Sequence, residues 1–219
     1  MNETLQRIHD YLLPTGFEDL DGATYDHHPI HLALQIAFYA HRDQTRENGE
    51  PYVEHPIRCF KRYLKMIRLD IDEAGSEDVP LLKKHHIPYY GVQECCLLHD
   101  VIEDSELSLE EVEGIYVDQG LGEFFAAYIK EPLRRVTHIK SMPYNDYIDV
   151  VLGNPISAMV KMMDLQDNLI VLDLTSLTKK NYHRAQRYLR YIHRINSAYH
   201  FVENAHEYRM ELKRKGNPN

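Results

Sequence analysis

Apolar residues recur along this 219-residue chain at spacings that suit helices better than strands. Residues 31–42, HLALQIAFYAHR, set Leu32, Leu34, Ile36, Ala37 and Ala40 closer to one helical face than to strand alternation. Pro56 stands where a first helical turn begins, and Ile57 to Ile67 predicts the next helix. Another helix is expected from about Gly91 to Ile102. Its successor starts at Ser108, which forms a capping box with Glu111 three residues on. Residues 119–140 read as helical as far as Val136, with a break or kink near Pro132. Tyr144–Leu152 and Ile156–Leu172 are separated by the turn Gly153-Asn154-Pro155. From about Lys179 to Lys213 one long helix is expected, with Leu189, Ile192, Ile195, Tyr199 and Val202 as its apolar stripe.

Residues 70–90 are rich in charge and hold Gly75, Pro80 and Pro88, so they read as a connecting insertion, with room for a short helix. No internal repeat, low-complexity segment or strand emerges. The pattern predicts a single all-α domain over residues 1–219, with its core at about 31–175.

Composition narrows the class of function. Forty-three per cent of residues are hydrophobic and 27% are charged, the profile of a globular chain. Thirty-four acidic residues against 25 basic ones leave a net charge of −9, which disfavours an extended nucleic-acid face because phosphate binding needs clustered Lys and Arg. A small anionic ligand remains compatible if a metal or local cations reverse the field in one pocket. No apolar run approaches the roughly 20 residues that cross a bilayer, and MNETLQRIHDYLL lacks the features of a signal peptide. Cys59, Cys95 and Cys96, odd in number and two of them adjacent, read as reduced core residues of a cytoplasmic protein.

The chemistry concentrates in LLHDVIED, residues 97–104. His99 and Asp100 offer one divalent cation a nitrogen and a carboxylate, and a continuing helix would set Glu103 and Asp104 one turn beyond them. Alone, the segment is read equally well as a helix end with a satisfied histidine and exposed acids. Two further elements shift that balance. In Gly49-Glu50-Pro51-Tyr52-Val53-Glu54-His55-Pro56 the prolines make a rigid mount for His55. In Val160-Lys161-Met162-Met163-Asp164-Leu165-Gln166-Asp167-Asn168-Leu169, Asp164 interrupts an apolar helix and Asn168 shares its face. Asp167 faces away from that side and reads as a solvated neighbour. His27-His28 and His85-His86 also read as solvated, since adjacent residues on a helix point apart. The tyrosines 182, 188, 191 and 199 read as packing or interface residues.

The ordered set of AHRDQTRENGEPYVEHP, LLHDVIED, a VTH segment and VKMMDLQDNL resembles the hydrolase domain of the RelA/SpoT family and its small stand-alone relatives, the small alarmone hydrolases, over roughly residues 31–175. The resemblance implies an HD-domain helical bundle with one divalent metal, most often Mn²⁺, held by His55, His99, Asp100 and Asp164. It implies that Glu103 and Asp104 orient or deprotonate the attacking water, that Asn168 contacts the ribose, and that Arg46 packs against the base. The implied reaction removes the 3′-pyrophosphate of guanosine tetra- or pentaphosphate. Lys161 is read as approaching the phosphates or as a surface residue, and His41 as a substrate neighbour or a structural hydrogen-bonding group.

Several positions depart from the family pattern: Glu47 where a Lys often follows the base-packing Arg, Thr137-His138 where Thr-Lys is usual, and Ile170 where an Arg is common. They leave the metal set intact and thin the cations around the substrate. Two alternatives follow: a nucleotidase or phosphatase for another phosphorylated nucleotide such as NADPH, and a silent nucleotide-binding module. No nucleic-acid polymer or membrane partner is expected, and a homo-oligomer is compatible with the chain.

Overall fold

The computed structural model of the chain describes residues 3–12, 28–67, 79–172 and 178–216. It is all-α, and among the described residues extended pairing is confined to an isolated antiparallel bridge, Thr45 with Pro51. The helices are α1 (Glu3–Leu12), α2 (Pro29–Ala40), α3 (Glu54–Ile67), α4 (Val79–Lys84), α5 (Val92–Leu98), α6 (Val101–Asp104), α7 (Leu109–Asp118) and α8 (Gly122–Phe124). A π-turn over Phe125–Ile129 leads into α9 (Lys130–Val136), followed by α10 (Tyr144–Leu152), α11 (Pro155–Val171), α12 (Lys179–Tyr199) and α13 (Phe201–Gly216). No described helix is long and apolar enough to cross a membrane.

Helix α5 lies at the centre, because every residue of VQECCLL is buried and no face is left for solvent. It packs against α2, α3 and α11, which present their apolar stripes to it. On α3 that stripe is His55, Cys59, Tyr63, Leu64 and Ile67. Each fully buried aliphatic side chain, such as Leu98 or Ile67, contributes about 1.5–3 kcal/mol. Gly91 starts α5 at φ +78°, and a Cβ there would fall 2.3 Å from the Tyr128 carbonyl oxygen, so only glycine permits this approach. Pro132 has no N–H to give the Tyr128 carbonyl, which falls within the π-turn preceding it. The expected irregularity near Pro132 is thus that π-turn.

Several expectations need adjustment. The helix expected from about Gly91 to Ile102 is two helices, with His99 and Asp100 in the bend between α5 and α6. The single C-terminal helix over 179–213 is corrected to α12 and α13. His200 adopts φ +53°, the Asn196 side chain accepts from Val202 N at 2.9 Å, and Tyr199 stacks on Phe201 at 4.9 Å, fixing the corner. Of the connecting insertion, residues 79–84 form α4, while 70–78 lie outside the described residues. The Ser108–Glu111 capping box forms in both directions. His28 caps α2 through Nδ1, whereas His27 lies outside the described residues. His85 Nε2 is hydrogen-bonded to the Glu211 carboxylate at 2.9 Å, so a solvated reading does not hold for it.

Glu94 is the anomaly of the central helix. It is 4% exposed, and burial raises its carboxyl pKa to about 7. An unfolded Glu titrates near ~4.3, so stability is lost as pH rises from there through 7, where folding must bury the ionised form. Glu94→Gln is expected to raise the thermal midpoint at pH 8 by several degrees, from a gain of at most about 2–3 kcal/mol, and to change it little at pH 4. Equal shifts at both pH values would count against the buried charge as the cause.

Candidate active site

Two helices and a bend bring the sequence-predicted metal residues together. His55 comes from the first turn of α3, His99 and Asp100 from the α5–α6 bend, and Asp164 from the middle of α11. Asp164 Oδ1 lies 3.1 Å from His55 Nε2 and 3.9 Å from His99 Nε2. Asp100 Oδ2 lies 3.6 Å and 3.2 Å from the same two nitrogens. One atom from each side chain therefore borders a single point, at separations typical of ligands about 2.0–2.2 Å from one ion.

Hydrogen bonds on the far side of each ring explain why the Nε2 atoms converge. The Nδ1 of His99 lies 2.9 Å from the Cys96 carbonyl, which can only accept, so whenever the ring is neutral its proton sits on Nδ1 and a lone pair faces inward at Nε2. That Nε2 is buried and makes no hydrogen bond. His55 Nδ1 donates to Asp167 Oδ2 at 2.8 Å, which orients its ring in the same way. A buried, unpartnered nitrogen facing two carboxylates and a second imidazole fits a divalent cation. The mixed nitrogen–oxygen donor set points the same way.

The electrostatics agree. Burial opposes charge on His55, yet Cys59 and the bonds from Asp164 and Asp167 drive its pKa well above the ordinary imidazole value. Burial likewise opposes charge on His99, and Asp100 and Asp164 overcome it. Asp100 and Asp164 are held well below the usual carboxylate range against the desolvation of burial, Asp100 chiefly by His99 and Asp164 chiefly by Lys161. The cluster favours positive charge at its centre.

Cys59 is a further donor nearby: one atom each of His55, Cys59 and His99 lie within 4.8 Å of one another. Its sulfur is 3.8 Å from His55 Nδ1, the edge that Asp167 already occupies, and burial pushes the thiol up to about 11. The Nε2 side, with its carboxylates, is the better seat for a hard cation.

Two residues that sequence reasoning did not assign tie the site together. The Tyr52 hydroxyl donates to Asp100 Oδ2 at 2.8 Å and to Asp104 Oδ2 at 3.0 Å, bridging a metal-site carboxylate and one of the acidic pair. Its position inside GEPYVEHP was the available signal. Asp167, expected to be solvated, is instead fully buried: it receives His55, Arg58 at 2.9 Å and Arg62 at 3.1 Å. The expectation that it faces away from Asp164 is corrected too: three residues apart on α11 the two acids share a face, and both reach the His55 ring from it.

The remaining candidates surround this cluster. Lys161 Nζ pairs with Asp164 Oδ2 at 2.7 Å and is mostly buried, which excludes a purely surface position. Glu103 is half-buried, with one carboxylate oxygen accepting from the His138 backbone N–H at 3.0 Å, and burial raises its pKa. Arg46 donates to Asn168 Oδ1 at 2.7 Å, and Asn168 Nδ2 donates to Asp164 Oδ1 at 2.5 Å. His41 is buried, bonded through Nδ1 to Gln44 at 2.8 Å, and its ring centroid lies 4.8 Å from that of Tyr52. Its Nε2 has no hydrogen-bond partner, and burial lowers its pKa.

No family model matches the chain. Curated proteins do. The guanosine-3′,5′-bis(diphosphate) 3′-pyrophosphohydrolase of Mus musculus is 28% identical over 163 residues, covering 71% of this chain and 76% of that protein. The Homo sapiens protein of the same description is 29% identical with the same coverage. The one from Aquifex aeolicus is 25% identical over 71% of this chain but only 20% of its own length. A solved structure described as a metazoan ortholog of SpoT that hydrolyzes ppGpp and plays a role in starvation responses shares the fold, with a TM-score of 0.54 and 23% identity. The superposition covers 87% of this chain and 98% of that one.

Proposed function

We propose that this chain, an HD-type hydrolase most like the stand-alone small alarmone hydrolases of the RelA/SpoT family, removes the 3′-diphosphate from guanosine 3′,5′-bis(diphosphate). The observation that carries the reading is the convergence of His55, His99, Asp100 and Asp164 on one buried point, with Glu103 and Asp104 adjoining it in sequence. These four side chains would hold one divalent cation, a role their two imidazoles and two carboxylates suit, and the family resemblance makes it Mn²⁺. The cation, when bound, supplies Lewis acidity that acidifies a water and offsets negative charge on phosphoryl oxygens.

The chain's residues do the rest. Asp104, whose Oδ1 is left open by the Tyr52 bond to Oδ2, accepts a proton from water, and Glu103 is a second acceptor in reserve. The water oxygen bonds to phosphorus and the bond from phosphorus to the ribose 3′ oxygen breaks. Pyrophosphate leaves, and the proton taken up by Asp104 passes to the 3′ oxygen to restore the hydroxyl and the free carboxylate. Lys161, poised on Asp164, offsets charge on the departing group. Asn168 and Arg46 exchange their mutual bond for contacts with ribose and base. Buried, unpaired Cys59, Cys95 and Cys96 support residence in the reducing cytoplasm.

The test is a Mn²⁺-dependent assay of guanosine tetraphosphate that follows pyrophosphate directly, beside NADPH with orthophosphate as readout. Pyrophosphate release over many turnovers is expected. Metal-loaded protein that releases none, but dephosphorylates NADPH, would transfer the reading to the nucleotide phosphatase alternative. Tyr52→Phe, which frees two carboxylates to swing, is expected to lower kcat by about 10–100-fold while KM changes less. An unchanged kcat would remove Tyr52 from the site.

A further inference from the structure

A cleft of about 590 Å³ is lined by Glu47, Lys180, His183, Arg184 and Arg187. Four of these come from the first turns of α12, a helix outside the segment whose motifs carry the family resemblance. Lys180 and Arg184 stand 3.8 and 3.7 Å from the exposed Glu47 carboxylate, pairs of little net stabilising value. Arg187 has no carboxylate within ion-pair distance among the described residues. Its guanidinium lies 5.6 Å from the ring centroids of both Tyr144 and Tyr188. Three permanent cations therefore face a single acid, in a chain whose net charge is −9. Local positive excess on an acidic protein focuses anions into the cleft.

The cleft adjoins the candidate active site along two routes. Glu47 follows Arg46, which holds Asn168 and through it Asp164. Tyr144 carries Arg187 near its ring and also Lys161, whose Nζ lies 5.9 Å from the same centroid. A nucleotide with one phosphate group among the metal ligands extends its other phosphates away from them, across the ribose.

We infer that this cleft is the subsite for the phosphates that are not cleaved, with Arg184 and Arg187 as the contacts and Glu47 as the carboxylate they displace. The inference rests on the proposed hydrolase reading for its substrate. A diphosphate matches the planar forks of two arginines, and releasing Glu47 to solvent requires breaking only two loose pairs. Glu47, at a position where the resemblance expects a lysine, then acts as a built-in competitor that sets the affinity for anionic nucleotides.

The test uses the full chain and GDP, which carries only a 5′ diphosphate and binds whether or not the protein turns over a substrate. Calorimetric titration should find GDP bound at least about tenfold more tightly than guanosine, a difference that Arg184→Ala with Arg187→Ala removes. Exposed Glu47→Gln, which poses no threat to folding, should tighten GDP several-fold. The double variant should also raise KM for guanosine tetraphosphate more than it lowers kcat. Equal binding of GDP and guanosine by the unaltered chain, or unchanged GDP binding in both variants, overturns the subsite. The two readings fail separately. Pyrophosphate release with an unaltered KM in the double variant rejects the subsite alone. Arginine-dependent GDP binding without any pyrophosphate release rejects the proposed reaction and retains the subsite.

Discussion

His99→Ala is expected to strip the divalent cation from the protein and to lower kcat/KM for guanosine tetraphosphate by more than about 10²-fold. Loss of an outer partner of a ligand already reduces metal affinity or activity 10–100-fold, and His99 stands in direct reach of the cluster. The substitution is informative because the inward-facing Nε2 makes no hydrogen bond within the protein. Folding loses only the Nδ1 bond to Cys96 and the packing of one ring, about 2–3 kcal/mol. Metal content by mass spectrometry and melting by circular dichroism should therefore separate, the first collapsing while the second falls modestly. Asp104→Asn is the complement: metal retained, turnover reduced about 10²–10⁴-fold. A His99→Ala protein that keeps both metal and turnover would dismantle the site.

Asp167→Ala should be the most damaging single change to stability. Its carboxylate is fully buried and gathers His55 Nδ1, Arg58 and Arg62, with Arg46 Nη1 3.7 Å away. Burial pushes its pKa up, but His55 and Arg58 more than compensate and hold it below the usual carboxylate range. Removing one partner from a buried ion cluster costs about 3–5 kcal/mol, because the surviving charges lose compensation without regaining water. Arg58 and Arg62 keep some solvent contact, so the lower end, about 3 kcal/mol, is expected. For a chain of this size that lowers the thermal midpoint by roughly 6–12 °C. His55 also loses its orienting bond, so Mn²⁺ affinity measured on the folded variant should fall about 10–100-fold. A variant that melts like the parent would mean the arginines find other partners.

Asp164 and Asp167 show how far linear reasoning reaches. Asp164 stands in an apolar helical run, which is a local anomaly visible without any fold. Asp167 also sits in that run, and helical geometry puts it on the Asp164 side without saying what that side meets. What it faces depends on α3, more than a hundred residues earlier in the chain. The same holds for Tyr52, whose role depends on the α5–α6 bend meeting the 49–56 turn. The cationic cleft is a third case: Glu47, His138 and Ile170 suggested too few cations near the substrate, while α12 sets Lys180, Arg184 and Arg187 in one cleft with Glu47. His200 is a fourth, since the apolar stripe continues across the corner and only Asn196, Tyr199 and Phe201 together end α12 there.

By itself the sequence determined the all-α architecture, the helix start marked by Ser108, the turn at Gly153-Asn154-Pro155, and the ordered motifs around His55, His99 and Asp164. These follow from periodicity, capping and residue chemistry, all of which act within a few turns of chain. The tertiary structure alone decided which atoms of those residues face one another, which acid is buried, and which distant cations gather around Glu47. Those outcomes depend on how α3, α5, α11 and α12 pack, and packing couples residues whose separation along the chain carries no signal of their contact.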